Sequence, residues 1–360
     1  MSDTPKLFEP FTLRGVTLRN RIGVSPMCQY SAVDGVPQPW HLAHLGERAV
    51  GGAGLVIAEA TGVLPEGRIS PACTGLWNDA QTAAWAPIAA FIKGQGAVPG
   101  IQLAHAGRKA SDAIPWGPHK GQLTDEQGGW PTYAPSALPF GGYEHPRTPK
   151  ALDRDGIAHV RRAFVDATRR AEAAGFQWLE LHAAHGYLMH QFLSPLSNTR
   201  SDDYGGSFQN RVRLLLETAS DMRAQWPKDL PFTVRISATD WAEDGWDLEQ
   251  SIELAKQLKQ VGVDLIDVSS GGLTPAQQIK VGPGYQVGFA SSIKADADIP
   301  TSAVGMITDA HQAEAILMQE HADMVLLARA FLRDPYWAHH AAKALGVPEL
   351  CKLPVQYSRA

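Results

Sequence analysis

Short apolar runs alternate with longer amphipathic stretches along most of this chain. Eight runs have the length and the aliphatic composition of buried strands. They lie at 22–25, 53–60, 98–104, 176–182, 232–237, 265–269, 300–304 and 324–328. Between them, apolar residues recur at every third or fourth position, most plainly at 210–226 and 248–261, which predicts helices with one buried face. A hairpin is predicted at 11–19, with Gly15 supplying its turn.

Strands that alternate with helices predict a parallel sheet, and eight such units close into a (β/α)8 TIM barrel of the α/β class. An open, doubly wound sheet is the alternative, but no Gly-x-Gly-x-x-Gly fingerprint follows an early strand. Segment 111–150, after the third strand, is rich in Gly, Pro, Trp and Tyr and has little periodicity. Because loops that follow barrel strands lie on the catalytic face, we expect this segment to be a lid.

The composition is that of an ordinary globular protein, with 44% hydrophobic and 19% charged residues among 360. We expect one domain over residues 1–360, with a C-terminal tail at about 346–360. A net charge of −5 argues against a nucleic-acid or membrane-surface protein. Three cysteines, no signal-peptide pattern and no apolar run of membrane length together predict a cytoplasmic protein.

The fourth predicted strand ends in two imidazoles and a phenol, those of His182, His185 and Tyr187. Because side chains alternate along a strand, a straight continuation would place the two histidines on opposite faces. They converge only if the chain turns just after His182, which the small residues at 183, 184 and 186 permit. Two N–H groups aimed at one oxygen would then form an oxyanion-type site.

A metal site is the alternative use for these histidines. Zinc requires three or four protein ligands, and the first strand, where hydrolase barrels usually place metal-binding histidines, carries none. We therefore expect no metal at this site.

Two polar side chains lie inside predicted strands. Arg235 and Gln102 stand between apolar neighbours and should point into the barrel. Either could be a structural group, but a buried charge needs a partner, and an anionic cofactor would supply one for Arg235. Gly305 and Arg329 follow the seventh and eighth strands, where this architecture commonly binds phosphate. A phosphate-bearing cofactor is therefore expected.

The run from Ser197 to Arg213, which directly follows His-Ala-Ala-His-Gly-Tyr-Leu at 182–188, resembles the signature of the Old Yellow Enzyme family of flavin-dependent ene-reductases. The resemblance covers nearly the whole chain, including Gln-Leu-Ala-His-Ala-Gly-Arg-Lys at 102–109. His185, Cys28 and the ending at 356–359 resemble the thermophilic-like, or xenobiotic-reductase, subclass.

This resemblance implies FMN as the cofactor and NADPH or NADH as the electron donor. It implies an FMN site formed by Ser25, Pro26, Met27, Cys28, Ala60, Gln102, Arg235, Gly305, Met306 and Arg329. His182 and His185 would bind the carbonyl or nitro oxygen of an activated alkene, with Tyr30 lining the pocket. In a ping-pong cycle, flavin N5 would deliver hydride to the β-carbon, and Tyr187 would protonate the α-carbon. The subclass also implies a homodimer or homotetramer in which Arg359 reaches a neighbouring site.

Three alternatives remain at this point. A dienoyl-CoA reductase-like flavin barrel would carry an iron–sulfur cluster and further domains, which three scattered cysteines and 360 residues do not supply. A metal-dependent barrel hydrolase would use the histidines as ligands. A non-catalytic binding protein would have no use for polar residues at so many strand ends.

Overall fold

A computed structural model describes residues 4–357 and 359, and its centre is a closed barrel of eight parallel strands. The strands of the described residues are β1 Phe11–Leu13, β2 Val16–Leu18, β3 Ile22–Val24, β4 Leu55–Gly62, β5 Val98–Ala104, β6 Tyr133–Ala134, β7 Lys150–Ala151, β8 Trp178–Ala183, β9 Phe232–Ser237, β10 Leu265–Ser269, β11 Thr301–Ala303 and β12 Met324–Leu327. The barrel runs β3-β4-β5-β8-β9-β10-β11-β12, and β12 pairs with β3 to close it. The predicted TIM barrel is confirmed, and the predicted strands differ from the observed ones by at most two residues at an end.

Helices follow most barrel strands and cover the outside of the barrel. The helices of the described residues are α1 Pro39–Val50, α2 Asp79–Gly94, α3 Arg154–Ala173, α4 Leu188–Leu193, α5 Phe208–Gln225, α6 Leu248–Gln260, α7 Val287–Ala297, α8 Ala310–Met318, α9 Arg329–Arg333 and α10 Trp337–Ala344. Helices α5 and α6 correspond to the predicted helices at 210–226 and 248–261. Side-chain caps fix several starts, such as Ser207 before α5 and Asp247 before α6. No described helix is long and apolar enough to cross a membrane.

The barrel interior changes from apolar to polar along the strand direction. Near the amino ends of the strands, Leu55, Trp178 and Met324 form an apolar cluster, against which Val16 and Leu18 of the hairpin pack. Toward the carboxyl ends, the inward positions of β8, β9 and β10 are charged, with Glu180, Arg235 and Asp267 all buried. The larger apolar cluster lies between strands and helices. The hairpin therefore closes the lower end of the barrel, and the chemistry is confined to the upper end.

The turn of the β1–β2 hairpin consists of Arg14 and Gly15, since Leu13 pairs with Val16. The residue with a left-handed conformation is Arg14, at φ 50°, and not Gly15. Gly15 instead allows a close approach: its N–H donates to the carbonyl oxygen of Asp229 at 2.8 Å, and a Cβ would lie 3.0 Å from that oxygen. The predicted hairpin is observed with Gly15 in its turn, and Arg14 is the residue of that turn with positive φ.

Segment 111–150 lies over the carboxyl ends of the strands. It contains β6, which pairs with β7, and a short 3-10 turn at Asp125–Gln127. Its Trp116 ring contacts the Tyr30 ring edge-on, with centroids 5.7 Å apart. This contact places the segment at the edge of the site, and its role as a lid stays a prediction.

Candidate active site

The loop after β8 brings the two histidines and the tyrosine together. His185 at φ 58° and Gly186 at φ 72° are consecutive left-handed residues, and they turn the chain sharply. Gly186 is required here because a Cβ would lie 2.2 Å from the carbonyl oxygen of Gly272. The His182 ring lies 5.2 Å from that of His185 and 4.9 Å from that of Tyr187, both edge to face. The predicted convergence is observed.

A buried contact between His190 and Asp240 holds this loop from below. His190 Nδ1 accepts a hydrogen bond from the N–H of Gly186 at 3.0 Å, and its Nε2 lies 2.8 Å from Asp240 Oδ1. Burial alone would raise the pKa of Asp240, but His190 lowers it below its ordinary value. His190 and Asp240 were not found from the sequence, although both lie close to recognised residues in the chain.

His182 is placed to donate from one ring nitrogen. Its Nδ1 accepts a hydrogen bond from the backbone N–H of Ala184 at 3.1 Å, so in the neutral ring the proton sits on Nε2. Burial, together with His185 and Arg235, lowers the pKa of His182 well below its ordinary value. His182 is therefore a neutral N–H donor at physiological pH.

His185 is held by two serines that the sequence reasoning missed. Its backbone N–H donates to Ser237 Oγ at 2.9 Å, and its Nε2 lies 2.7 Å from Ser269 Oγ. Burial lowers the pKa of His185 well below its ordinary value, with Arg235 contributing next. Because Ser269 engages Nε2, a second N–H for a substrate oxygen must come from Nδ1 or from a turned ring.

Lys109 connects the histidine loop with segment 111–150. Its ammonium donates to the carbonyl oxygens of His185 and Gly272, each at 2.9 Å. It also lies 5.4 Å from the ring centroid of Tyr187 and 4.6 Å from that of Phe140. Burial, with help from Arg108, lowers the pKa of Lys109 to about 8. Lys109 is the last residue of the motif at 102–109, but no role was predicted for it from the sequence.

Tyr187 lies in a small apolar cluster above the strands. The cluster contains Ala60 and Cys73, with Cys28 and Tyr30 packed against it. Burial is the main reason that the pKa of Tyr187 is raised well above its ordinary value. The phenol therefore keeps its proton across the neutral range.

The thiol of Cys73 also lies in this cluster, close to Cys28, and no role was predicted for it from the sequence. A hydrogen bond with Cys73, followed by burial, raises the pKa of Cys28 well above its ordinary value. Cys73 Sγ in turn lies 3.3 Å from the N–H of Ser70. Cys28 is therefore a protonated thiol at neutral pH.

A cavity of about 400 Å³ contains many of the predicted cofactor residues, and its volume is in the range of small-molecule sites. Its lining includes Ser25, Pro26, His185, Arg235, Gly305, Met306 and Arg329. Met27, Cys28, Ala60 and Gln102 do not line it: Met27 packs on the main core, and Gln102 reaches the site through Glu180. A second cavity, of about 810 Å³, lies within segment 111–150 and contains none of the predicted site residues.

One end of the 400 Å³ cavity is suited to a phosphate group. Gly305 at φ 118° and Met306 at φ 50° form a turn whose backbone N–H groups donate to no acceptor in the described part of the chain. A Cβ on Gly305 would lie 2.6 Å from Gln286 Nε2. Arg329 and Arg333 line the same end. Free N–H groups and two cations are the donor set that a phosphate requires.

At the other end, the structure gives Arg235 partners within the protein. Its Nε makes a short contact with Asp267 Oδ2 and lies 3.8 Å from Glu180 Oε1, and its Nη2 donates to Ser25 Oγ at 2.9 Å. The expected anionic cofactor is therefore not its only counter-charge. Glu180 shares the inward face of β8 with His182, and Asp267 stands between apolar neighbours in β10, so side-chain alternation alone could have identified both.

Other predicted residues lie at the edge of the site or apart from it. Tyr30 is half-buried and contacts Trp116. Arg359 is exposed in the single chain. Within the described residues, no three side chains of His, Cys, Asp or Glu are grouped as metal ligands.

Comparisons with known proteins give a consistent result. The family model described as the NADH:flavin oxidoreductase / NADH oxidase family matches residues 6–347. An NADPH dehydrogenase of Bacillus licheniformis is 48% identical over 357 residues, which are 99% of this chain and 98% of that protein. The structure of morphinone reductase matches with a TM-score of 0.80 and 29% identity, over 96% of this chain and 91% of that chain. A 2-naphthoyl-CoA reductase matches with a TM-score of 0.86, but at 23% identity and over 53% of its own length, so that likeness shows the fold alone.

Proposed function

Since the chain belongs to the NADH:flavin oxidoreductase / NADH oxidase family, and so to the predicted Old Yellow Enzyme group, we propose that it reduces the C=C bond of α,β-unsaturated carbonyl or nitro compounds. It is an NAD(P)H-dependent flavin oxidoreductase whose cofactor is FMN. The alternative of a metal-dependent hydrolase is not favoured by this membership. The larger dienoyl-CoA reductase type is not favoured either, because this chain matches an NADPH dehydrogenase over 98% of its length.

The observation that carries the proposal is the position of the three rings beside the cavity. His185 belongs both to the ring group and to the cavity lining, so a substrate held by the histidines would lie against a molecule in that cavity. The cavity also has the free N–H groups and arginines that fit the phosphate of FMN. Bound FMN supplies hydride transfer, from NAD(P)H and then to the β-carbon of the alkene.

The residues that would hold FMN form two groups. Gly305, Met306 and Arg329 would hold its phosphate. Arg235 and Gln102 would face the polar edge of its ring, where Gln102 is oriented by a 2.8 Å hydrogen bond to Glu180. Ser25 and Pro26, which line the cavity, would contact the rest of the ring. Met27, Cys28 and Ala60 are assigned to the ring by the family resemblance alone.

The histidines would bind the oxygen that activates the alkene. As neutral donors they stabilise negative charge on that oxygen without giving up a proton. His182 would donate from Nε2, because its Nδ1 is occupied by the N–H of Ala184. Such a donor typically contributes about 2.7–4 kcal/mol to the transition state.

Tyr187 would supply the proton to the α-carbon. Its raised pKa keeps the hydroxyl protonated, as a general acid requires before reaction. The ammonium of Lys109, 5.4 Å from the ring, would stabilise the phenolate that remains. Because NAD(P)H and the alkene would occupy this one site in turn, with NAD(P) leaving before the alkene binds, we expect ping-pong kinetics.

The subclass and the assembly are part of the same proposal. Cys28, His185 and Arg359 match the thermophilic-like subclass, in which we expect a homodimer or homotetramer. Arg359 is exposed in the single chain, so it is free to reach a neighbouring subunit.

Product analysis tests this function. Purified enzyme with NADPH and cyclohexenone should consume the two in equal amounts and form cyclohexanone, with parallel lines in double-reciprocal plots. Oxidation of NADPH without loss of cyclohexenone would contradict ene-reduction while leaving the flavin oxidoreductase class intact.

A further inference from the structure

Three charged side chains are buried together beneath the cavity. Glu180, Arg235 and Asp267 lie on the adjacent strands β8, β9 and β10, and their side chains are 1%, 5% and 0% exposed. Arg235 contacts Asp267 directly and lies 3.8 Å from Glu180. Two carboxyl groups therefore share one guanidinium in a site without bulk water.

The two carboxyl groups are not equivalent. Asp267 has the close contact with Arg235, and its Oδ1 also accepts a hydrogen bond from Ser302 Oγ at 2.9 Å. Glu180 is farther from the guanidinium and accepts from neutral groups, Gln102 Nε2 at 2.8 Å and Thr233 Oγ1 at 3.4 Å. Arg235 is thus neutralised mainly by Asp267, and an ionised Glu180 is a surplus negative charge.

The surroundings of Glu180 favour its protonated form. The charged or titratable groups that face it are Arg235 and Asp267 on the neighbouring strands, together with the neutral imidazole of His182 on its own strand. Burial first, and Asp267 next, raise the pKa of Glu180 to about 8. A modest change in nearby charge is enough to shift its protonation at physiological pH.

We propose that Glu180 takes up a proton from solvent when the FMN held beside Arg235 is reduced. This inference rests on the proposed placement of FMN. Two electrons and one proton convert neutral oxidised FMN to its reduced anion, and a second proton forms an O–H bond on the Glu180 carboxylate. The protein thereby removes its surplus charge as the cofactor gains one, and Arg235 becomes available to the reduced cofactor.

The proposal predicts how many protons accompany reduction at each pH. Below the range in which Glu180 ionises, it is protonated in both states, and one proton is taken up per two electrons. From about pH 8 upward, reduction takes up a second proton. For a two-electron couple, each proton adds about 29.6 mV per pH unit to the slope of the midpoint potential.

Anaerobic spectroelectrochemical titration of the FMN-loaded enzyme between about pH 6 and pH 10 measures this slope. We expect the wild-type slope to steepen from one proton toward two per electron pair near pH 8, and Glu180→Gln to keep the one-proton slope throughout. Glu180→Gln is nearly isosteric and retains an oxygen for Gln102. If the slope of the wild-type midpoint potential is constant across this pH range, the proposal is overturned. This result can be established without any variant.

Glu59→Gln is the matched control. Glu59 is also a buried carboxyl group of a barrel strand, but it lies 3.0 Å from His41 Nε2 and does not line the cavity. Glu59→Gln should show the same steepening near pH 8 as the wild type. If Glu59→Gln kept the one-proton slope throughout, as Glu180→Gln is expected to do, the assignment to Glu180 would be contradicted. Protein that holds no FMN would contradict the proposed function and this inference together, whereas bound FMN with a constant slope contradicts this inference alone.

Discussion

Tyr187→Phe tests the proton donor with the smallest change that the site allows. The variant loses one hydroxyl group and keeps the ring, which lies 4.9 Å from the His182 ring and 5.4 Å from the Lys109 ammonium. No described residue forms a hydrogen bond with that hydroxyl, so its removal leaves no buried polar group unsatisfied. We therefore expect the variant to fold and to bind FMN as the wild type does.

The expected loss falls on the step that uses the proton. A positioned general acid contributes ~10²–10⁴ in rate, which is about 2.7–5.4 kcal/mol at 1.36 kcal/mol per factor of ten. Because burial raises the pKa of Tyr187 above its ordinary value, the wild-type donor is fully protonated at neutral pH. The defect should therefore be the same at pH 6 and at pH 8, to within about twofold.

Stopped-flow spectroscopy separates the two halves of the cycle. Reduction of the flavin by NADPH should keep its wild-type rate in Tyr187→Phe, and reoxidation by cyclohexenone should slow by the factor above. Tyr204→Phe is the matched control, since it removes a phenol hydroxyl that donates to Glu217 of helix α5 at 3.0 Å. An equal slowing of both halves, or an unchanged reoxidation, would refute the role of Tyr187.

Three further perturbations test other parts of the site. His182→Ala should slow cyclohexenone reduction about a hundredfold or more at unchanged FMN content, and a loss below tenfold in single turnover would contradict its donor role. For Lys109, the folded-state pKa of about 8 lies below the ordinary lysine value of 10.5. The unfolded chain therefore binds more protons between these two values, and stability rises with pH there. Relative to Lys109→Met, the wild type should gain up to about 3 kcal/mol of unfolding free energy across that range, as measured by urea unfolding; parallel pH profiles would contradict this. Gly186→Ala would place a Cβ 2.2 Å from the Gly272 oxygen, whereas Gly175 is also left-handed but has open space around it. Gly186→Ala should therefore lower the free energy of unfolding more than Gly175→Ala does. The left-handed conformation alone would cost about 1 kcal/mol in each variant, and equal costs would contradict the role of this close approach.

Much of the fold follows from local patterns. Each of the eight barrel strands was visible as an apolar run, because strands covered by helices need continuous apolar faces. The convergence of His182 and His185 was also predictable, since only a turn after His182 puts both on one surface. The left-handed conformation of Arg14 was not predictable, because Gly15 is the residue that normally adopts it.

Contacts between distant parts of the chain explain what the sequence did not reveal. Lys109 reaches the carbonyl oxygen of His185, and Ser269 fixes its ring, although neither lies near it in the chain. Such pairings depend on the register of neighbouring strands, which composition does not specify. Glu180 and Asp267 differ from Lys109 and Ser269, because the alternation of side chains along a strand is enough to predict that both point into the barrel.

The central claim is that the rings of His182, His185 and Tyr187 act on a substrate held against FMN. Anaerobic mixing of NADPH-reduced enzyme with cyclohexenone tests it most directly, with flavin absorbance and product followed together. The account predicts that oxidised-flavin absorbance returns while one cyclohexanone forms for each flavin. Enzyme that stays reduced in the presence of cyclohexenone, yet is reoxidised by oxygen, would contradict it.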